Sequence, residues 1–145
     1  MYEEKPFIFL IDDDEDDLEM MVSSLEPHGV STRTFNSGPG ALACFDRPAL
    51  FKEMPSLIIL DYNMPLMNGM ETLTKIKSRA SIRHIPVVIY STTINALFAR
   101  TARENGVFAC MTKAISLSDF DEHVACFAAM AHSFLEKHSH CREYA

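Results

Sequence analysis

The chain has no C-x-x-C pair: its four cysteines, Cys44, Cys110, Cys126 and Cys141, lie 66, 16 and 15 positions apart. That spacing fits neither a zinc site nor a secreted disulfide framework and reads as incidental reduced thiols. No apolar run approaches the ~18 residues of a membrane span, and no basic stretch followed by an apolar one opens the amino terminus. The expectation is a soluble, untargeted, cytoplasmic protein without membrane contact. Basic charge is also scarce, with 13 Lys and Arg against 20 Asp and Glu for a net −7, which argues against nucleic-acid binding. The acids bunch at Glu3-Glu4 and along 12–17, so the charge is local. Neither a linker nor room for a second domain is visible in the 145 residues, which suit one domain with a substantial core.

What is present is a short apolar stretch that ends in a carboxylate. Leu57-Ile58-Ile59-Leu60, bracketed by Pro55 and the polar run after Leu60, reads as a strand buried on both faces. Asp61 follows directly, at the carboxyl end of the strand, where open α/β sheets place their ligands. Pro65 and Gly69 then mark a loop. An ionised carboxylate in such a position needs partners.

The rest of the chain alternates in the same way. Phe7–Ile11 is a second apolar run, ended by the acids at 12–17, and Leu18, Met21, Val22 and Leu25 then recur at helical spacing until Pro27-His28-Gly29. Val30 to Phe35 reads as a strand near an edge, because Ser31 to Thr34 are polar. Ser37-Gly38-Pro39-Gly40 opens a helix through Ala41, Leu42 and Phe45, and Pro48 and Pro55 bracket an irregular stretch. Met70, Leu73 and Ile76 give a helix capped by Asn68. Ile85–Tyr90 is a strand ending in Ser91-Thr92-Thr93, and the helix through Ala96, Leu97, Ala99 and Ala102 closes at Asn105-Gly106. Val107–Met111 is the last strand, followed by Thr112-Lys113-Ala114. Ser116 or Ser118 caps a final helix carrying Phe120, Val124, Phe127, Ala131 and Phe134. From Lys137 the tail is polar and expected to fray. Five strands and five helices joined by short connections imply a doubly wound, five-stranded parallel sheet flanked by five helices.

In such a sheet the strand ends share one edge, so Asp12, Asp13, Asp61, Ser91 and Lys113 can meet, although 30 and 52 positions separate Asp61 from Ser91 and Lys113. Clustered carboxylates repel each other and raise their own pKa values unless a cation sits among them. A hard dication with few protein carboxylates, waters and a phosphate is the description of Mg²⁺. These parts suit phosphoryl transfer to Asp61, with Lys113 and the metal stabilising charge. Each feature alone is weak; the joint order is the signal.

The motifs Ile-Asp12-Asp13-Asp14, Leu-Asp61-Tyr-Asn-Met-Pro65-Leu-Met-Asn-Gly69, Tyr-Ser91-Thr92 and Thr-Lys113, with their intervals, resemble the receiver domain of two-component response regulators, from about Phe7 to Phe134. The resemblance implies a flavodoxin-like receiver fold over 1–136 with a polar tail at 137–145, working as a single-domain signalling protein rather than an enzyme. It implies that Asp61 is the phosphoacceptor. Asp13 and the Asn63 carbonyl would join it as ligands of Mg²⁺, with Asp12 holding the metal through water. Ser91 would hydrogen-bond the phosphoryl oxygen, and Lys113 would pair with Asp61 and then with the phosphate. Asn63 and Thr93 occupy positions that tune hydrolysis. The implied donor is a sensor histidine kinase or histidine phosphotransfer protein. The downstream target would dock on the last strand and its flanking helices, at Phe98, Arg100, Arg103, Phe108 and Cys110, and a weak homodimer is compatible with this.

Two positions depart from the family pattern. Cys110 stands where an aromatic switch residue is usual, and strand alternation would let Phe108 substitute on the same face. Ala114 replaces the proline that follows the lysine, and the expectation is that the cis bond survives so that Lys113 still reaches Asp61. Two other functions remain open: a receiver-like interaction module independent of phosphorylation, and, less favoured, an aspartate-nucleophile phosphohydrolase using Asp12-Asp13-Asp14. A calcium loop fails because its sixth position is Asp17 rather than Gly. His132, His138, His140 and Cys141 read as a solvated tail, and Met64, Met67 and Met70 as packing.

Overall fold

A computed structural model describes residues 5–47 and 54–143, with side chains through 137. The irregular stretch expected after Pro48 therefore lies outside the described residues, as do the side chains of His138, His140 and Cys141.

Five strands form one parallel sheet in the order β2-β1-β3-β4-β5, with β1 at Phe7–Ile11, β2 at Ser31–Phe35, β3 at Leu57–Leu60, β4 at Val87–Ser91 and β5 at Ala109–Thr112. The helices are α1 (Glu15–Leu25), α2 (Gly38–Phe45), α3 (Gly69–Ser78), α4 (Ala96–Glu104) and α5 (Leu117–Glu143). This is the doubly wound, five-stranded, flavodoxin-like sheet expected from the sequence. The continuous apolar runs of β1, β3 and β4 occupy its centre, and the polar β2 takes one edge.

The period of two along each strand divides the core into two layers. Phe9, Ile11, Ile58, Leu60, Val87 and Ile89 face α2, α3 and α4 through Leu42, Leu73, Ile76 and Ala102. Ile8, Leu10, Leu57, Ile59, Val88 and Tyr90 face α1 and α5 through Leu18, Met21, Leu25, Val124, Phe127 and Ala131. Ser56, just before β3, donates its buried hydroxyl to the Ala131 carbonyl at 2.9 Å and ties α5 to the sheet.

Most helix starts carry the caps legible in the sequence. Asn68 Oδ1 accepts from Glu71 N at 2.9 Å and Ser116 Oγ from Asp119 N at 3.1 Å, which selects Ser116 over Ser118 as the last cap. Gly106, after α4, adopts φ 88°, the left-handed conformation that glycine accepts without a steric penalty.

The backbone of α5 continues as helix past Lys137, through Glu143. Nucleation is the costly step, and the packed first turns of α5 supply it, so each later residue adds one backbone hydrogen bond. Among the described residues, no helix is long and apolar enough to cross a membrane.

Candidate functional site

The sheet register brings the acids together before any side chain is considered. Ile11 pairs with Leu60, so the next residue on each strand, Asp12 and Asp61, leaves the sheet side by side. Asp61 N donates to the Ile11 carbonyl at 2.9 Å, and Asp12 N to the Phe35 carbonyl at 3.0 Å. The order β2-β1-β3 means that the chain departs from β1 in both directions here, the usual place for a ligand crevice. One oxygen from each of Asp12, Asp13 and Asp61 lies within 4.8 Å of the others. Asp12 and Asp61 are buried and Asp13 is exposed.

The loop after Asp61 is held tightly. Gly69 N donates to the Tyr62 carbonyl at 2.8 Å, Met64 N to the same carbonyl at 3.1 Å, and Met67 N to the Pro65 carbonyl at 2.8 Å. A Cβ on Gly69 would collide with the Asp61 carbonyl oxygen and the Tyr62 backbone, so only glycine fits. Asn63, the expected carbonyl ligand, lies exposed in this loop. Leu66, at its tip, has φ 70° and is 91% exposed, an uncomfortable backbone for a branched side chain.

Burial is the main reason that the Asp61 carboxyl is pushed up to about pH 6. The Asp12 charge adds to this, while Lys113, the Tyr62 backbone and Ser91 act in the opposite direction. A carboxylate made uncomfortable by burial and by a second carboxylate is what a bound dication relieves. The donors are all hard oxygens, which fits Mg²⁺ or a similar ion.

Ser91 closes β4 and is fully buried. Its hydroxyl has no partner of hydrogen-bond geometry among the described residues, although it lies near enough to Asp61 to influence that carboxyl. Unpaired buried hydroxyls are unusual and call for a ligand or a moving neighbour. Thr92 and Thr93 are exposed beyond it.

Lys113 arrives from the edge strand β5, its backbone N donating to the Ser91 carbonyl at 2.8 Å. Its Nζ lies 2.7 Å from Asp12 Oδ2, 2.8 Å from Asp17 Oδ2 and 3.9 Å from Asp61 Oδ1. Burial works against its charge, but the hydrogen bonds to Asp12 and Asp17 and the charges of Asp12 and Asp61 prevail and raise its pKa.

One expectation about the lysine needs correction. Among the described residues there is no cis peptide bond, so Lys113-Ala114 is trans. Without proline the trans form is favoured by about 3–4 kcal/mol, and the long lysine stem still reaches the acids. The expected ion pair of Lys113 with Asp61 is present at 3.9 Å, and shorter contacts with Asp12 and Asp17 accompany it. Asp17 was hidden in the acidic run, which reads equally well as a favourable first helical turn; its only signal is a position one turn beyond Asp13.

The loop after Lys113 has a second anchor that sequence reasoning missed. Ala114 N donates to the Tyr90 hydroxyl at 3.1 Å, and that oxygen lies 2.8 Å from His123 Nδ1 on α5.

The Phe108 expectation is overturned. Phe108 precedes β5, is 53% exposed, and sets its ring edge-on to Phe134 with centroids 5.0 Å apart. Phe134 belongs to the α1/α5 layer, whereas Cys110 packs with the α2/α3/α4 layer, so Phe108 does not fill the place left by the missing aromatic. The alternation rule fails because Phe108 lies outside the paired strand. Burial raises the Cys110 thiol pKa. Phe98 packs edge-on against Tyr62 at 4.5 Å, while Arg100 and Arg103 are exposed on α4.

Residues 8–125 match the family described as the response regulator receiver domain. Response regulator PleD of Caulobacter vibrioides is 34% identical over 100 residues, covering 69% of this chain; the chain spans only 20% of PleD. Two cyanobacterial structures are similar throughout. The phosphorylated phytochrome response regulator RcpA has a TM-score of 0.81 at 28% identity, covering 90% of this chain and 96% of its own. The Mn²⁺-bound form of Rcp1, a response regulator known from Synechocystis, has a TM-score of 0.74 at 27% identity, covering 83% and 89%.

Proposed function

Because the chain belongs to the response regulator receiver domain family, we propose that it accepts a phosphoryl group on Asp61 and signals by docking to a partner. The observation that carries this reading is the setting of Asp61: a buried carboxylate between a sheltered lysine and a buried hydroxyl with no partner among the described residues.

In this reading the donor is a phosphohistidine on a sensor kinase or phosphotransfer protein. An Asp61 oxygen attacks phosphorus, the phosphorus–nitrogen bond breaks, and its electron pair returns to the departing imidazole, which takes up a proton. With a pKa of about 6, Asp61 is mostly ionised at neutral pH and able to attack. Asp12, Asp13, Asp61 and the Asn63 carbonyl would hold Mg²⁺, which when bound offsets charge on the transferring group. Lys113 moves toward the new phosphoryl oxygens, and the Ser91 hydroxyl donates to one of them. Asn63 and Thr93 occupy positions that tune hydrolysis of the acyl phosphate, and the small Thr93 neither shields it strongly nor activates water against it. The phosphoryl group is a local charge change that biases β5 and its flanking helices, where Arg100, Arg103, Phe108 and Cys110 offer a docking face. The working unit would be residues 1–136, a cytoplasmic signalling domain rather than an enzyme.

The outward packing of Phe108 favours one competing reading, a docking module of the same fold that ignores phosphorylation. Acetyl phosphate with Mg²⁺ separates the two. Intact mass should rise by about 80 Da in the wild type and not at all in Asp61→Asn. A wild-type protein that gains no Asp61-dependent mass refutes the phosphoacceptor.

A further inference from the structure

The lysine at this site is shared with a carboxylate outside the recognised motifs. Asp17 stands in the first turn of α1, and its backbone N donates to the capping Asp14 side chain at 3.1 Å, which fixes that turn. From there Asp17 Oδ2 accepts from Lys113 Nζ at 2.8 Å, while Asp61 Oδ1 lies 3.9 Å from the same nitrogen. Asp17 stands outside the trio of Asp12, Asp13 and Asp61 that could hold an ion, although it shares the lysine with Asp12. Its side chain is 45% exposed against 15% for Lys113, so the pair spans the lip of the site.

We infer that Asp17 is a positioning residue that parks Lys113 away from Asp61 and thereby sets how readily the phosphorylated state is reached. The inference rests on Asp61 being the phosphoacceptor. An ammonium has three protons, and two are committed here, one to Asp12 and one to Asp17. A phosphoryl group on Asp61 presents several charged acceptor oxygens and draws the lysine toward them. To follow, Lys113 must release or stretch the Asp17 bond. That bond is partly open to solvent and therefore weak, so it restrains the lysine without locking it.

The test compares Asp17→Asn, Asp17→Glu and Asp16→Asn with the wild type. Asp16 is exposed in the same helical turn, so its substitution removes the same charge without touching the lysine. Beryllium fluoride, a phosphoryl mimic, is titrated by ¹⁹F NMR at saturating Mg²⁺. Asp17→Asn should bind it about two- to fivefold more tightly than Asp16→Asn does, and Asp17→Glu should return toward the wild type. In metal-free protein, a lysine-selective ¹H–¹⁵N spectrum should show the Lys113 ammonium protons exchanging faster in Asp17→Asn but not in Asp16→Asn. Equal or weaker mimic binding by Asp17→Asn, or unchanged ammonium exchange, overturns the parking role alone. Failure of the wild type to bind the mimic overturns the phosphoacceptor reading, and this one with it.

Discussion

The two corners of the site are built by different means. At the acid corner, Asp12 and Asp61 each sit one residue past a register pair of β1 and β3, and backbone hydrogen bonds fix both. At the lysine corner, Lys113 reaches across from the edge strand on a flexible stem, and its partners are chosen among three carboxylates by distance. The first corner is a consequence of strand pairing and the second of side-chain competition. In the proposed function, the chemistry that needs rigid placement lies on the first, and the part that moves lies on the second.

Gly69→Ala should break the acid corner outright. The new methyl meets the Asp61 carbonyl and the Tyr62 backbone, neither of which can swing aside, and the loss should be about 1–3 kcal/mol or more in urea unfolding. An unchanged midpoint would mean that the loop yields where it looks rigid.

Lys113→Ala strikes the other corner. The acids proposed to hold Mg²⁺ stay in place, so metal affinity should persist, while labelling by acetyl phosphate slows about tenfold or more for want of the cation. A larger loss of metal binding than of labelling would merge the two corners into one.

The pH dependence sharpens the contrast. The folded Asp61 pKa of about 6 lies above the ~3.9 of an unfolded chain. The contribution of Asp61 to stability is therefore present in full below about pH 4 and is lost as pH rises through about 6. Metal-free Asp61→Asn should melt on the order of a few degrees above wild type at pH 8 and nearly level with it at pH 4, by calorimetry. Added Mg²⁺ should narrow the gap at pH 8 by stabilising the wild type.

The smallest effect is expected at Leu66, beside the acid corner. Leu66→Gly relieves the left-handed backbone and removes an exposed apolar side chain, and should gain about 1 kcal/mol or less. A loss would mean that the leucine makes contacts outweighing its backbone strain.

The acid corner was legible because it depends on patterns that survive in one dimension. An apolar run followed by Asp names a strand end, and the two such ends, after β1 and β3, share an edge in a parallel sheet. Asn68 and Ser116 were readable as caps for a similar reason, since the bonded groups lie three residues apart. Asp17 was not singled out, because its one local signal, a position one turn beyond Asp13, is lost in a run that reads as an ordinary acidic first turn. Its role follows from a contact with a residue 96 positions away. Phe108 escaped because alternation predicts a face only within a paired strand, and pairing begins at Ala109. The Tyr90–His123 contact likewise joins elements 33 positions apart.

By itself, then, the order of residues determined the five strands, their burial, the common edge and the acids that gather on it, since hydrophobic period and hydrogen-bonded register are local or pairwise-regular. Only the tertiary structure decided which carboxylates hold the lysine, that residue 113 enters through a trans bond, and where the ring of residue 108 turns. Each of those is a contest between alternatives that differ by a kcal/mol or a few, settled by neighbours that the chain brings together only after it has folded.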